Sequence, residues 1–129
     1  MLADRLVMTM IPCINIDRAR QFYEGKLQLT PVQDSPDSVT YACQGGTLFT
    51  LYPSGFAGTA QNTAMSWMVD DLAAEMAELR AQGVVFEEYN LPESKTVNGV
   101  AEFPGGRTAW FKDTEGNILS LTQIDQYQE

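Results

Sequence analysis

The 129-residue sequence contains no histidine and only two cysteines, Cys13 and Cys43. The absence of histidine removes the usual imidazole base, the Ser-His type of catalytic triad and the commonest ligand of transition metals. A metal site would therefore need carboxylates, water or thiolates. Two cysteines do not suggest the disulfide framework of a small secreted protein, so we expect buried free thiols in a cytoplasmic protein.

Basic residues are also scarce. Eight Lys and Arg residues stand against 17 Asp and Glu residues, which gives a formal net charge of −9. This balance argues against nucleic acid or an anionic membrane as a partner. It is compatible with a cationic small ligand, although solubility alone explains an acidic surface equally well. No apolar run approaches the length of a membrane-spanning helix, and residues 1–4 lead into a strand-like stretch without a signal-peptide pattern.

The sequence is rich enough in apolar residues to form a core. Hydrophobic residues make up 44% of the chain and aromatic residues 10%, which excludes a disordered protein. A chain of this length is typically one domain that needs no disulfide or metal for stability. We therefore expect a single domain over 1–129.

Hydrophobic periodicity divides that domain into two halves of the same order. We predict a first module over about 5–53, a linker over 54–62 and a second module over about 63–124, each with the element order βαβββ. Strands are predicted at 6–13, 30–33, 38–44, 47–52, 63–69, 84–89, 100–103, 107–112 and 117–123, helices over about 18–27 and 72–82, and a polar loop at 91–97.

The last two strands form the most clearly predicted hairpin. Residues 113–117 have the pattern of a type I turn followed by a left-handed glycine, Gly116. If this turn closes the loop, Phe111 lies opposite Leu119 on one face of the sheet, and Trp110 lies opposite Ser120 on the other. The Phe111 face is expected to pack against a helix. The Trp110 face is more polar and is where we expect function.

Four segments in this order resemble the glyoxalase / bleomycin-resistance / extradiol dioxygenase (vicinal oxygen chelate) superfamily. They are 17–24 (DRARQFYE), 67–72 (WMVDDL), 79–84 (LRAQGV) and 110–117 (WFKDTEGN). The resemblance implies an α+β fold in which two βαβββ modules form a cupped, mostly antiparallel mixed sheet with helices on its outer face. It also implies a homodimer and, in the enzymes, a divalent metal in the cup.

The metal-ligand positions implied by the resemblance carry unsuitable residues in this chain. They fall on Met8, Thr50, Ala64 and Ser120. A thioether, two hydroxyls and a methyl group do not hold Zn²⁺, Ni²⁺ or Fe²⁺ in the ordinary way. We therefore expect no metal and no other cofactor, and the superfamily's metal-dependent reactions are not to be assumed.

The remaining residues of the implied cup are suited to an organic ligand. We expect a binding protein for a small cationic or aromatic molecule, and we assign no catalytic residue. Arg107 could bind a carboxylate or balance local acid, and a solvated strand face is the simpler explanation of Glu88. The predicted ligand-binding residues are Met8, Met10, Thr50, Tyr52, Ser66, Met68, Glu88, Arg107, Trp110 and Ser120.

Two other interpretations remain open. The protein could be a lyase, isomerase or dioxygenase-type enzyme, either metal-free or with a displaced carboxylate site that uses Glu88 or Glu102. It could also be a structural or regulatory module in which the same residues fill a collapsed core. A metal content measurement and a ligand screen would separate the three.

Overall fold

The computed structural model describes residues 1–125, which form two compact units. The first unit contains 1–60 and 114–117, and the second contains 61–113 and the residues from 118 onward. The first unit therefore includes the turn of the hairpin that the sequence analysis assigned to the second module.

The first unit contains a four-stranded mixed sheet. The strand order is β1-β4-β3-β2, with β1 parallel to β4 and the other pairs antiparallel. Its elements are β1 (Met8–Cys13), α1 (Ile16–Arg20) continuing as a π-helical segment (Gln21–Lys26), β2 (Pro31–Ser35), β3 (Ser38–Ala42) and β4 (Leu48–Pro53), with short 3₁₀ turns at Leu2–Asp4 and Gln44–Gly46.

Aromatic packing joins the first helix to this sheet. Asn15 caps α1, because its side-chain oxygen accepts a hydrogen bond from the Arg18 amide at 3.0 Å. The π-helical segment then carries Tyr23 into the core, where its ring centroid lies 6.0 Å from that of Tyr41 and 5.6 Å from that of Phe49. One face of the sheet is thus covered by the helix.

The second unit contains a six-stranded mixed sheet. The strand order is β5-β10-β9-β8-β7-β6, with β5 parallel to β10, and α2 packs against β9 and β10. Its elements are β5 (Thr63–Met68), α2 (Leu72–Ala81), β6 (Asn90–Leu91), β7 (Ser94–Val97), β8 (Val100–Phe103), β9 (Gly106–Lys112) and β10 (Ile118–Ile124).

The strand predicted at 84–89 is wrong, and so is the loop predicted at 91–97. Against β9, residues 84–89 make one isolated bridge, from Phe86 to Phe111, and a hydrogen bond from the Glu87 amide to the Trp110 carbonyl at 2.8 Å. The reason is that β8 pairs with β9 over Gly106–Thr108 and leaves only the far end of β9 for this segment. The 91–97 region instead supplies part of β6 and all of β7.

The hairpin prediction is confirmed. Phe111 pairs with Leu119 and Trp110 with Ser120, and Gly116 has the left-handed φ of 86°. Phe111 and Leu119 are fully buried, on the face covered by α2. The chain thus has an α+β fold with two mixed sheets, as expected. No helix within 1–125 is long and apolar enough to cross a membrane.

Candidate functional site

The face of the second sheet that points away from α2 carries hydroxyls and one tryptophan. We call it the polar face of the second sheet. The register places Ser120 between Trp110 and Ser66, and the Ser66 and Thr122 hydroxyl oxygens are 2.9 Å apart. Met68, which is 62% exposed, pairs with Thr122 at the end of this row. The serine and threonine side chains are short, so the Trp110 ring and the exposed Met68 side chain supply the apolar surface of this face.

Trp110 is held in a fixed orientation by two contacts. Its indole Nε1–H donates to the Thr63 hydroxyl at 3.0 Å. The Tyr89 ring meets it edge-on, with 5.4 Å between ring centroids and an interplanar angle of 73°. Burial, followed by the nearby charge of Glu87, raises the pKa of the Tyr89 phenol, which therefore stays neutral. The pair is a preorganised aromatic surface of the kind that binds planar or cationic groups.

The sequence analysis did not include Tyr89 among the site residues, although a signal for it was present. Phe86 is buried on the face of Phe111. Alternation from Phe86 places a side chain three residues later on the opposite face, which is the face of Trp110. Tyr41, by contrast, is a core residue of the first unit whose hydroxyl donates to Glu24 Oε2 at 2.8 Å.

Four of the predicted site residues share one face of the first sheet, which we call the methionine face. Met8 and Met10 are 42% and 47% exposed on β1, and the register pairs Met10 with Thr50 on β4. The Thr50 hydroxyl lies 3.0 Å from Met8 Sδ and 2.7 Å from the Thr40 hydroxyl. Tyr52 is two residues further along β4, so it lies on the same face.

Arg107 does not lie on the polar face of the second sheet. On β9, Arg107 lies two and four residues before the buried Ala109 and Phe111. Its side chain is therefore on the same face of the sheet as theirs, which is the face toward α2. There it lines a cavity together with residues of α2. This corrects the expectation that Arg107 borders the same lining as Trp110.

Glu88 is also placed apart from Trp110. Its carboxylate accepts hydrogen bonds from the Thr96 hydroxyl at 2.6 Å and from the Gly99 amide at 3.0 Å. These two bonds, in that order, lower the pKa of Glu88. The charged carboxylate therefore holds the turn between β7 and β8, and the expectation that it lines the ligand site is corrected too.

The positions implied for metal ligands do not fit a divalent cation. Met8 and Thr50 lie together in the first unit, but their donors are a thioether and a hydroxyl. In the second unit, Ala64 has no donor atom and Ser120 contributes a hydroxyl. Over 1–125 no group of three or more His, Cys, Asp or Glu side chains is arranged to hold a metal ion. This donor set does not match the ligands of Zn²⁺, Fe²⁺ or Ni²⁺.

The most strongly shifted carboxylate, Glu115, has a structural environment. Its side chain is fully buried and accepts hydrogen bonds from the Arg18 guanidinium at 2.8 and 3.0 Å and from the Ile14 and Asn15 amides at 2.9 Å. Burial opposes its ionisation, but these bonds and one from Thr114 outweigh it and lower the pKa to about 2. The hydrogen bonds from Arg18, Ile14 and Asn15 to Glu115 hold the start of α1 in place, so we assign Glu115 a structural role and no catalytic one.

No protein-family model and no curated protein matches the sequence significantly. Solved structures do match the fold. TnmS3, an antibiotic-binding protein from Streptomyces sp. CB03234, is similar with a TM-score of 0.68 and 23% identity, over 96% of this chain and 98% of that one. Lactoylglutathione lyase from Agrobacterium tumefaciens is similar with a TM-score of 0.69 and 16% identity, over 97% of both chains.

A glyoxalase/bleomycin resistance protein/dioxygenase from Alicyclobacillus acidocaldarius is similar with a TM-score of 0.70 and 17% identity, over 98% of this chain and 97% of that one. The chain thus shares the fold of these proteins, and the resemblance expected from the sequence is confirmed at the level of fold. At these identities the comparisons show the fold alone, because one fold carries both binding proteins and enzymes.

Proposed function

We propose that this protein binds a small planar aromatic ligand, cationic by preference, on the polar face of the second sheet. The observation that carries the proposal is the Trp110–Tyr89 pair, with its 5.4 Å centroid separation and its edge-on geometry. The indole ring stacks on the ligand, and the exposed hydroxyl of Ser66 supplies a polar contact. Ser120 lies between Trp110 and Ser66 but is only 3% exposed. The ligand is the expected partner, and the expected location is the cytoplasm.

Charge supports a preference for cations. The chain has a net charge of −9, which raises the local concentration of cationic ligands near its surface. Glu87 lies two residues before Tyr89 and therefore on the same face. Its carboxylate forms an ion pair with the Lys112 ammonium at 3.8 Å. A cation over an aromatic ring gains about 0.5–2 kcal/mol, depending on how well water is excluded.

The methionine face of the first sheet is proposed as a second ligand-binding surface. Met8, Met10, Thr50 and Tyr52 offer flexible apolar side chains and two kinds of hydroxyl. Methionine adapts to ligands of irregular shape because its side chain is unbranched and polarisable. Glu88 and Arg107 are left out of the proposal because the structure places them on other surfaces.

The side chains at the positions implied for metal ligands favour ligand binding over the superfamily's metal-dependent reactions, because they offer only a thioether and hydroxyls. TnmS3 is described as antibiotic-binding and another neighbour as a lyase, so the fold by itself is neutral between the two. A displaced carboxylate site gains no support, since Glu88 is committed to the β7–β8 turn and the Glu102 side chain is 72% exposed. No observation favours the enzyme, and ligand binding is our conclusion.

Tryptophan fluorescence tests the proposal, provided that the two tryptophans are separated. Trp67 stacks on the buried ring of Phe111, so the variant Trp67→Phe leaves Trp110 as the only tryptophan reporter. We expect planar aromatic cations to quench its fluorescence saturably, and neutral analogues of the same shape to bind more weakly. Trp110→Leu should weaken binding about tenfold, as expected for the loss of roughly 1.4 kcal/mol.

The matched control is Trp67→Phe itself, which should bind as tightly as the wild type in calorimetry. If Trp110→Leu binds as tightly as Trp67→Phe, the site is not on the polar face of the second sheet. If binding requires added Zn²⁺, Ni²⁺, Mn²⁺ or Fe²⁺, the metal-free proposal is wrong and the enzyme hypothesis takes its place.

We also propose that the protein is a homodimer. Leu2, Leu6 and Val7 are 85%, 78% and 85% exposed. A run of exposed apolar side chains this close in sequence is typical of an interaction surface. A second copy of the chain is the occupant implied by the superfamily resemblance.

A further inference from the structure

The second unit contains a cavity of about 240 Å³ on the side of the sheet that α2 covers. We call it the Arg80–Arg107 groove. It lies on the opposite face of the sheet from Trp110, so it is not part of the ligand site proposed above. Its lining consists of Leu72, Ala73, Met76, Arg80, Asn98, Val100 and Arg107.

The groove exists because α2 presents a small residue to it. Leu72 and Met76 are buried, with 0% and 3% exposure, and form its apolar floor. Ala73 contributes only a methyl group to the lining. At Gly99, by contrast, an added Cβ would lie 3.1–3.3 Å from Phe86, Met76 and Arg80. One end of the lining is therefore tightly packed, and space is left beside the first turns of the helix.

The two arginines of the second unit both line this groove, although the chain as a whole is strongly acidic. Arg80 is held in place by a hydrogen bond from Nη2 to the Asn98 carbonyl at 3.2 Å and by its position 5.2 Å from the centre of the Phe86 ring. A guanidinium has five N–H donors, so this contact leaves Arg80 able to contribute positive potential and further hydrogen bonds.

The ion pairs of Arg107 are weak. Its nearest carboxylate oxygens are those of Glu102 at 3.6 Å and Asp125 at 3.7 Å, both beyond hydrogen-bonding distance, and those two side chains are 72% and 52% exposed. Exposed pairs with this geometry contribute about 0–1 kcal/mol. The Arg107 side chain itself is only 33% exposed. A carboxylate that makes two short parallel hydrogen bonds to Arg107 would therefore displace them readily.

We propose that the Arg80–Arg107 groove binds a small carboxylic acid with an apolar body. The carboxylate pairs with Arg107, Arg80 adds positive potential, and the apolar body packs on Met76 and Val100. The volume lies below the roughly 300–1,000 Å³ of pockets for drug-sized ligands. The groove therefore suits a monocyclic aromatic acid or a short-chain fatty acid.

Benzoate is the test ligand, and benzamide and benzylammonium are its neutral and cationic counterparts. Backbone amide shifts in NMR titrations of the full chain report both affinity and location. We expect benzoate to bind saturably at millimolar concentration or below, with the largest shifts at residues 73–76 and 98–100. Benzamide should bind at least about tenfold more weakly, because it lacks the charge that Arg107 recognises.

Five variants separate the groove from general effects. Arg107→Gln should weaken benzoate binding at least tenfold, and Lys95→Gln, which removes one positive charge from β7, should not. Ala73→Leu should fill the groove and abolish binding, whereas Ala74→Leu, the same change at the exposed neighbouring position, should leave it intact. Arg107→Lys, which keeps the charge but not the guanidinium fork, should give an intermediate affinity.

The proposal is overturned if benzoate and benzamide bind equally, if Ala73→Leu binds like Ala74→Leu, or if no saturable shift occurs at millimolar benzoate. Amide shifts centred on Trp110 would also overturn it, since they would place the acid on the opposite face. Trp110→Leu should leave benzoate binding unchanged. A failure of the aromatic-cation site is therefore distinguishable from a failure of the groove.

Discussion

Glu115 shows how one buried charge determines local structure. Its carboxylate receives hydrogen bonds from the two backbone amides that precede α1 and from the Arg18 guanidinium in the first turn of that helix. Arg18 is half exposed, and its hydrogen bond with Glu115 raises its own pKa. A buried charge with all its partners present is tolerated, but removing the charge leaves those partners without an acceptor of equal strength.

We predict that Glu115→Gln lowers the free energy of unfolding by about 2–4 kcal/mol near pH 7. Because the pKa of Glu115 is about 2 in the folded protein and about 4.3 in an unfolded chain, the stabilisation is complete above about pH 5. It is lost as the pH falls through the folded pKa. The difference between the wild type and Glu115→Gln in urea denaturation should therefore shrink between pH 5 and pH 2.

Glu93→Gln is the matched control for this prediction. Glu93 is exposed in the turn between β6 and β7, and surface substitutions of this kind change stability by less than about 0.5 kcal/mol. A Glu115→Gln variant as stable as Glu93→Gln at pH 7 would contradict the role assigned to this charge.

Individual residues of the site could be predicted from strand alternation where the hairpin turn fixed the register. The Asp113–Gly116 turn fixed the register, so Trp110 and Ser120 were correctly placed opposite each other. Arg107 lies on the same strand, and alternation from Trp110 places it on the other face. Arg107 was included among the ligand-binding residues of the cup without that count, and for this reason its placement beside Trp110 was wrong.

Among the structural elements, close glycine contacts determine how the hairpin turn packs within the first unit. Gly58 has a φ of 76°, and a Cβ added to it would lie 2.5 Å from the Glu115 carbonyl oxygen and 3.2 Å from Gly116 Cα. Both neighbours are backbone atoms, which cannot move aside as a flexible side chain can. Glycine is therefore required at position 58 for space as well as for conformation.

We predict that Gly58→Ala is more destabilising than Gly45→Ala. Gly45 has nearly the same φ of 74°, but a Cβ there meets nothing within 4 Å. Gly45→Ala should cost only the left-handed strain of about 1–2 kcal/mol. Gly58→Ala should cost about 1–3 kcal/mol more, since it also forces backbone atoms apart.

The measurement is the midpoint of denaturation for both variants and the wild type. Equal midpoints for Gly58→Ala and Gly45→Ala would mean that the contact with the hairpin turn relaxes without cost. A larger loss for Gly45→Ala would show that the environments of the two glycines are wrongly described.

Secondary structure was predictable where local patterns coincide with long-range pairing. The strands of the first unit and the β9–β10 hairpin follow this rule. The segment 84–89 does not, because Val84 and Phe86 are buried and Val85 is 77% exposed, as in a strand, yet the backbone forms a single bridge. Alternation reports which side chains are buried, whereas a strand also needs a neighbour with unpaired backbone groups.

For the molecule as a whole, the exposed residues Leu2, Leu6 and Val7 predict self-association. Light scattering at micromolar concentration should give about twice the chain mass of 14.3 kDa. Replacing all three residues by serine should shift the equilibrium toward the monomer, because the apolar area that drives association is lost.

A matched control is Val85→Ser, which changes an exposed valine of the second unit and should leave the mass unchanged. A wild-type mass near 14.3 kDa would contradict the dimer. A serine variant that remains dimeric would place the interface elsewhere on the molecule.

The sequence alone was sufficient to predict the fold class and the hairpin register, since turn chemistry and strand alternation are local properties. The tertiary structure was needed to bring Tyr89 against Trp110, to place the Glu88 carboxylate at the β7–β8 turn, and to form the groove beside α2. Those features depend on which distant segments approach each other. Hydrophobic periodicity predicts that a face is buried, but only the packed chain shows which side chains lie together on it.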